Sequence, residues 1–410
     1  MKKLISIISL CVLLITFYLF YPQQKEPNKD LNSLDELIPV LMEDASIPGL
    51  AVAKIENGEV VYVDTFGFAN IEEKKFVTKD TLFNIASISK PIMGVILLQL
   101  VDQKKLALDS DINEYSSFTI DNPFLQNEVI TLRHLASHSS GIDDYYDPKS
   151  YSENKDSPVG LRSHLKDRLV NSGEYYNEGR YYLEYTPGSQ RKYSNLGAAL
   201  AGHLVEEVTG MNLAEYAKKH LFPLLGMPSA GWLLSDVNVA NIAVPYEVEQ
   251  CVPWFYLCAN SEDTLVNYAI NQFVNPPNQY KRFVPYPHFG NPQYPDGGVR
   301  ASIQELSNFL KHVLSNSDLD GKPILSERMY NEMFHLQLDS SVSDSQRFFW
   351  RDRNNLIGHM GSDLGTFAAV YFNLDIKDGF IILMNRGMDS KSASAMRRIA
   401  KTLMQNHYSI

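Results

Sequence analysis

Phe83-Asn84-Ile85-Ala86-Ser87-Ile88-Ser89-Lys90-Pro91 runs directly into Ile92-Met93-Gly94-Val95-Ile96-Leu97-Leu98-Gln99-Leu100-Val101. From Pro91 to Val101 apolar residues occupy almost every face of a helix, so this segment belongs in the interior of a domain. Pro91 suits a first helical turn, where a missing N–H costs little. Ser87 and Lys90 stand three apart at the mouth of that helix, a spacing that puts both side chains on one face. Helix-end N–H groups favour negative charge there, and burial disfavours the protonated form of a lysine whose ordinary pKa is about 10.4. A serine beside a desolvated lysine is a candidate nucleophile with its base.

The spacing alone does not discriminate. Ser152 and Lys155, Ser163 and Lys166, and Ser189 and Lys192 repeat it without the apolar helix and read as exposed polar turns. Tyr193-Ser194-Asn195, a phenol and an amide just before a helical pattern, has a weaker copy at Tyr175 and Asn177. His359-Met360-Gly361 is likewise matched by His288-Phe289-Gly290.

Working outward, Ser33-Leu34-Asp35-Glu36 has the form of a capping box opening a helix, with Pro39 set to bend its early part. Residues 50–55 and 59–66 are β-rich stretches joined through Asn57-Gly58, a hairpin signal. Helical patterns follow at 132–137, at 196–208 closed by Gly210, at 213–221, and at 303–314 opened by Ser302 and Glu305. Residues 229–295, rich in proline, tyrosine and phenylalanine, are expected to be irregular and to form a wall or lid. Strands at 366–373 and 380–384 and a helix at 392–404 close the pattern. Strands at both ends with helices between predict an α/β (α+β) fold: an antiparallel sheet made by N- and C-terminal strands, flanked by a mostly helical region, with a cleft between them.

The chain has 410 residues, 44% hydrophobic and 21% charged, an ordinary globular composition for one large domain. A net charge of −11 disfavours nucleic acid as a partner. Lys2 and Lys3 precede an uncharged apolar run at residues 4–21, long enough to span about 27 Å as a helix. The run ends in bulky residues before Pro22, which favours an uncleaved signal anchor (1–21) over a cleaved leader. Residues 22–32 read as a polar linker and 33–410 as the folded domain. The expected location is a bacterial cell membrane crossed once, with the domain outside. Leu10 before Cys11 is too bulky for a lipoprotein signal. Cys251 and Cys258 would share an oxidising compartment, where a disulfide between them is one of two open readings. No metal or cofactor is expected: the cysteines lack further ligands, and Leu135 stands between His134 and His138 where a zinc protease motif requires Glu.

Taken in order, these motifs resemble the serine β-lactamase-related family of class C β-lactamases, D-alanyl-D-alanine carboxypeptidases and related esterases (family VIII-type). The resemblance rests on residues 83–91, on Thr131-Leu132-Arg133-His134-Leu135-Ala136-Ser137-His138-Ser139-Ser140-Gly141-Ile142, and on Thr186-Pro187-Gly188 before Tyr193-Ser194-Asn195. Pro223-Leu224-Leu225-Gly226-Met227 and Asp296-Gly297-Gly298-Val299 continue it. It implies Ser87 as nucleophile, Lys90 as the residue that takes or relays its proton, and Tyr193 as second acid/base. Asn195 would bind substrate and orient Lys90. His359, Gly361 and Ser362 would line the substrate site, and the N–H groups of Ser87 and Ser362 would form the oxyanion hole. His134 and His138 become scaffold residues.

His359-Met360-Gly361 stands where class C β-lactamases commonly have Lys-Thr-Gly, and a thioether cannot donate a hydrogen bond to a substrate carboxylate. The resemblance therefore implies a small-molecule or peptide substrate with an ester or amide bond, cut by an esterase or a D-amino-acid or cell-wall peptidase ahead of a β-lactamase. The alternative is a penicillin-binding sensor or scaffold that acylates without efficient turnover.

Overall fold

The computed structural model describes residues 33–252, 257–259 and 280–404. The segments 1–21 and 22–32, expected as anchor and linker, lie outside the described residues. Among the described residues, no helix is long and apolar enough to cross a membrane.

Asn57 and Gly58 both take positive φ and join Gly49–Glu56 to Glu59–Asn70 as an antiparallel pair. On its other side Gly49–Glu56 pairs antiparallel with Asp378–Met384, which brings strands from the two ends of the domain together. The complete seven-stranded order is Arg351–Arg353, Leu356–Asp363, Thr366–Asn373, Asp378–Met384, Gly49–Glu56, Glu59–Asn70, Lys75–Phe76. This is the expected sheet, completed by N- and C-terminal strands.

Strand alternation divides the sheet's side chains between two cores. Leu50, Val52, Phe367, Phe380 and Ile382 join one core with the helices Leu34–Ala45 and Ser390–Leu403. Ala51, Ala53, Val370, Ile381 and Leu383 join the other, which holds the helical body. The helix Ser89–Asp102 lies at the middle of that body, buried at every residue from Ser89 to Leu98, and packs against the helices Asn195–Thr209 and Glu327–Phe334. Its all-round apolar character is thus a direct record of its position.

One expectation needs correction, and one strand had no forecast. Residues 229–295 are not simply irregular: Tyr246–Val252, Leu257–Ala259 and Tyr280–Pro285 form a separate three-stranded antiparallel sheet. Tyr246-Glu247-Val248 already alternates, with Tyr246 and Val248 buried, but Pro245 and Pro285 at the strand edges mask the pattern. Leu356–Asp363, a strand of the main sheet, was absent from the sequence reading because two glycines dilute its β character. In the small sheet Cys251 and Cys258 are opposed in register, while their side chains lie outside the described set.

The helix termini follow their signals. Ser33 accepts from the Glu36 N–H at 3.3 Å, and Gly210 ends its helix at φ 69°. At Ile303–Ser315 the capping is reciprocal: Ser302 Oγ accepts from the Glu305 N–H, and the buried Glu305 carboxylate accepts from the Ser302 N–H and Oγ and from the Ser229 N–H. Ser302→Ala removes one side of this box and should lower stability by about 1–2 kcal/mol. The check is the urea midpoint, which should fall while the slope of the transition is kept.

Candidate active site

Ser87 sits in a single 3-10 turn, Ala86–Ile88, just ahead of the central helix. The turn is held from both sides: the Asn84 side chain accepts from the Ala86 N–H at 2.9 Å, and Ser89 Oγ donates to the Ala86 carbonyl at 2.6 Å while accepting from the Val299 N–H at 3.0 Å. Ala86 takes φ 46°, a left-handed conformation costly for a residue with a Cβ, so the nucleophile candidate follows a strained backbone position.

One turn on, Lys90 is fully buried. Its Nζ donates to Ser87 Oγ at 3.0 Å, to Asn195 Oδ1 at 2.7 Å and to the Asp296 carbonyl at 2.5 Å. Three acceptors fill the donor capacity of an ammonium group. Tyr193 OH donates to Ser87 Oγ at 3.0 Å, and Lys90 Nζ lies 5.1 Å from the centre of the Tyr193 ring. The structure therefore brings together Ser87, Lys90, Tyr193 and Asn195, drawn from distant parts of the sequence. The other Ser-x-x-Lys copies are separated by burial: Lys155, Lys166 and Lys192 are all exposed. Tyr175 of the second Tyr-x-Asn is 47% exposed.

Tyr193 and Asn195 are positioned by the start of the helix Asn195–Thr209. Ser194 caps it, accepting from the Gly197 N–H at 2.8 Å and donating to the Asp143 carbonyl at 3.1 Å. The buried His138 ring lies 4.3 Å from that of Tyr193, tilted by 32°, and its Nδ1 accepts from the Ser194 N–H at 3.3 Å. Burial, with Lys90 nearby, holds that imidazole well below its ordinary pKa, so it is neutral and able to accept. His134 completes a capping box with Thr131. Both histidines are scaffold.

The strand Leu356–Asp363 packs against the nucleophile turn. Gly361 makes this approach feasible: a Cβ there would lie 2.1 Å from the Ile85 carbonyl oxygen. Alternation puts His359, Gly361 and Asp363 on that face, while Met360 is 41% exposed. The half-buried His359 ring lies 6.4 Å from Tyr193, and its Nδ1 is 2.7 Å from the Met360 carbonyl. Burial and then Lys90 push its pKa down, so His359 is neutral at ordinary pH. Ser362, exposed, follows on the same strand.

Three contributors were missed by the sequence reading. The Asp296 carbonyl, a ligand of Lys90, is backbone and carries no residue signature. Asp144 positions Asn195, accepting from its N–H at 2.7 Å and from its Nδ2 at 3.5 Å. At the other end of the cleft Asp363 accepts from Tyr146 OH at 3.0 Å and from Tyr151 OH at 3.3 Å, tying the loop after Asp144 to the strand end. Tyr151 in turn stacks on Phe289, 4.6 Å away, so residues 289–296 of the expected wall do reach the site. Among the described residues no cluster of three or more His, Cys, Asp or Glu side chains could hold a metal.

The sequence profile of the Beta-lactamase family matches residues 34–403, and the chain belongs to that family. Protein flp of Staphylococcus aureus (strain MRSA252) is 25% identical over 276 residues, 64% of this chain and 52% of that protein. Penicillin-binding protein 4* of Bacillus subtilis (strain 168) is 29% identical over 251 residues, 57% of this chain and 52% of that protein. The chain thus spans about half the length of the curated relatives it matches. The octameric penicillin-binding protein homologue of Pyrococcus abyssi superposes with a TM-score of 0.66 at 22% identity, covering 92% of this chain and 78% of the other. The β-lactamase/D-alanine carboxypeptidase of Pseudomonas syringae gives 0.62 at 18% identity, covering 91% and 98%. These structural likenesses establish the shared fold.

The buried Asp296 carboxyl beneath Lys90 provides a pH test. Burial raises its pKa to about 7, against the opposing pull of Lys90 and of the Gln293 Nε2, which donates to it at 2.9 Å. An acid whose folded pKa exceeds its unfolded value binds more protons when folded, so its contribution to stability falls as pH rises between the two values. Asp296→Asn removes that dependence. The difference in Tm, variant minus wild type, should become more positive from about pH 5 to about pH 8. A flat difference would refute the raised pKa.

Proposed function

We propose that the chain is a serine acyl hydrolase that works through an acyl-enzyme on ester or amide bonds. The observation that carries this reading is the double donation to Ser87 Oγ, by Lys90 Nζ and by Tyr193 OH, each at 3.0 Å. Two proton-handling groups on one hydroxyl are what both halves of an acyl transfer require. For Ser87 Oγ to bond to the substrate carbonyl carbon, one member of the coupled Lys90–Tyr193 pair acts in its deprotonated form and takes the hydroxyl proton. Tyr193 then delivers a proton to the departing oxygen or nitrogen, the bond to the leaving group breaks, and an acyl-Ser87 ester is left. Water attacks that ester along the reverse proton path, freeing the acid and Ser87. The N–H groups of Ser87 and Ser362 are the proposed donors to the oxyanion. Asn195 holds Lys90 in place and offers its amide to the substrate. His359 and Gly361 shape the floor.

Among substrates we rank esters and D-amino-acid or cell-wall peptides ahead of β-lactams, because Met360 supplies no hydroxyl donor at a position where class C β-lactamases commonly carry Lys-Thr-Gly. The family membership supports the reaction class. Ser87→Ala should remove turnover of an aryl ester by several orders of magnitude while Ser163→Ala and Ser189→Ala do not, since deletion of a nucleophile can cost about 10⁶ in rate. Steady-state kinetics with 4-nitrophenyl acetate, nitrocefin and a D-Ala-D-Ala peptide give the ranking. Release of one equivalent followed by no turnover on all three would instead indicate an acylating sensor.

The residues 1–21 are the proposed anchor and 22–32 the tether, supported by Lys2, Lys3 and the uncharged run at 4–21. Full-length protein should stay in the membrane fraction through high salt and alkali. An intact mass that begins beyond Pro22 would overturn this.

A further inference from the structure

Leu356 and Met360 lie on the face of the main sheet opposite to that of His359 and Gly361. The helices Leu34–Ala45 and Ser390–Leu403 cover part of this second face. Beside the latter helix the cover stops short, and a cavity of about 300 Å³ opens between helix and sheet. Its floor is Leu356, Phe367, Phe380 and Ile382, all buried, from three neighbouring strands. Met388 and Met396, just before and within the helix, form a wall of flexible thioethers that adapt to a guest. Protein interiors ordinarily close a void of this size, and small-molecule sites run from roughly 300 to 1,000 Å³. Behind the mouth the lining offers one polar side chain, Tyr371, whose ring stacks on Phe380 at 5.8 Å and whose OH is engaged by Arg353. A guest carrying amides would bury donors and acceptors without partners there, whereas a hydrocarbon chain has none to lose.

The mouth is cationic. Arg353 and Arg397 stand there, both exposed. An Arg353 nitrogen lies 3.8 Å from Met360 Sδ, and among the described residues neither arginine has a carboxylate within ion-pair distance. The helix Ser390–Leu403 also carries Lys391, Arg398 and Lys401 and no acidic residue, in a chain whose net charge is −11. An apolar floor beneath two unpaired guanidinium groups is complementary to a molecule with a long apolar body and one anionic end, and the planar guanidinium fork matches a carboxylate. We infer that this cavity is a binding site for a single-chain fatty carboxylate, with the chain laid on Leu356, Phe367 and Phe380 and the head at Arg353 and Arg397. The site is distinct from the chemical one. Arg353, Met360 and Tyr371 also line the cavity beside Tyr193 and His359, but Ala393, Met396 and Arg397 do not.

Calorimetric titration of the full chain with sodium hexanoate, octanoate and decanoate, each below its micelle concentration, tests it. One decanoate should bind per chain, and affinity should rise about fourfold for each methylene added, the scale of a fully buried CH₂ group. Decan-1-ol, with the same chain and no charge, should bind about tenfold more weakly, and added salt should narrow that gap. Arg353→Gln/Arg397→Gln, both surface positions, should weaken decanoate about tenfold and leave decan-1-ol unchanged, the scale of two charged contacts screened by water. Ala393→Leu adds bulk to a wall that the catalytic cleft does not share, and should weaken both ligands. Decanoate taken up by the apolar run at 4–21 would be indifferent to all three substitutions. Equal affinity for decanoate and decan-1-ol, affinity independent of chain length, or decanoate binding unchanged by the substitutions overturns the inference. The readout is binding alone, so failure of the acyl-hydrolase reading would leave the site standing, and loss of the site would leave that reading untouched.

Discussion

The structure depends on keeping the Lys90 side chain out of water. Burying a lysine is costly unless its donors are satisfied, and here the partners come from three places: the same helical turn, a helix 105 residues later and a loop 206 residues later. Satisfying one nitrogen therefore fixes the relative positions of the nucleophile turn, the start of the helix Asn195–Thr209 and the segment at Asp296. The apolar helix Ser89–Asp102 makes this obligatory, because nothing around it offers water as a substitute. Packing and site are one requirement at this point, since the same burial that stabilises the helix compels the hydrogen bonds that assemble the chemistry.

The geometry of the approach adds a second constraint. The strand Leu356–Asp363 comes so close to the Ala86–Ile88 turn that only a residue without a Cβ fits at position 361. On the other side of this contact Ala86 has a left-handed φ. Asn84 and Ser89 hold that strained turn through the hydrogen bonds already described, so its cost is met by contacts that do not touch substrate. A strained backbone position next to Ser87 and a glycine opposite it meet at one short distance.

Features whose signal is local were legible in the sequence. The Asn57-Gly58 hairpin, the Ser302–Glu305 box and the buried helix after Ser87 each state their structure within a few residues. The four residues that meet at the site, Ser87, Lys90, Tyr193 and Asn195, were legible by order, since each short motif had copies elsewhere and burial separates Lys90 from Lys155, Lys166 and Lys192. What was not legible has a physical reason in each case. The Asp296 carbonyl has no side-chain identity. Asp144 sits in an acidic, tyrosine-rich loop where nothing local distinguishes a positioning carboxylate from a solvated one. The strand Leu356–Asp363 hides behind the very glycine that its close approach to Ile85 requires, and the small sheet at Tyr246–Val252 behind the prolines at its strand edges.

The grouping of Arg191, Arg351 and Arg353 around the cavity beside Tyr193 and His359 is hidden in the same way, because Arg191 is far in sequence from the other two and a net charge of −11 gives no hint of a local positive surface. The cleft is polarised along its length. At one end Asp363 is held by Tyr146 and Tyr151, with Asp144 nearby on the loop; at the other, Arg191, Arg351 and Arg353 face an open cavity past a neutral His359. Had His359 been a lysine, a fourth positive charge would stand beside three others and beside Lys90 in a poorly solvated space, and the repulsion would raise the cost of keeping all of them charged. A neutral imidazole avoids it. A neutral histidine with an exposed methionine beside it is thus compatible with the three arginines that already line this end of the cleft.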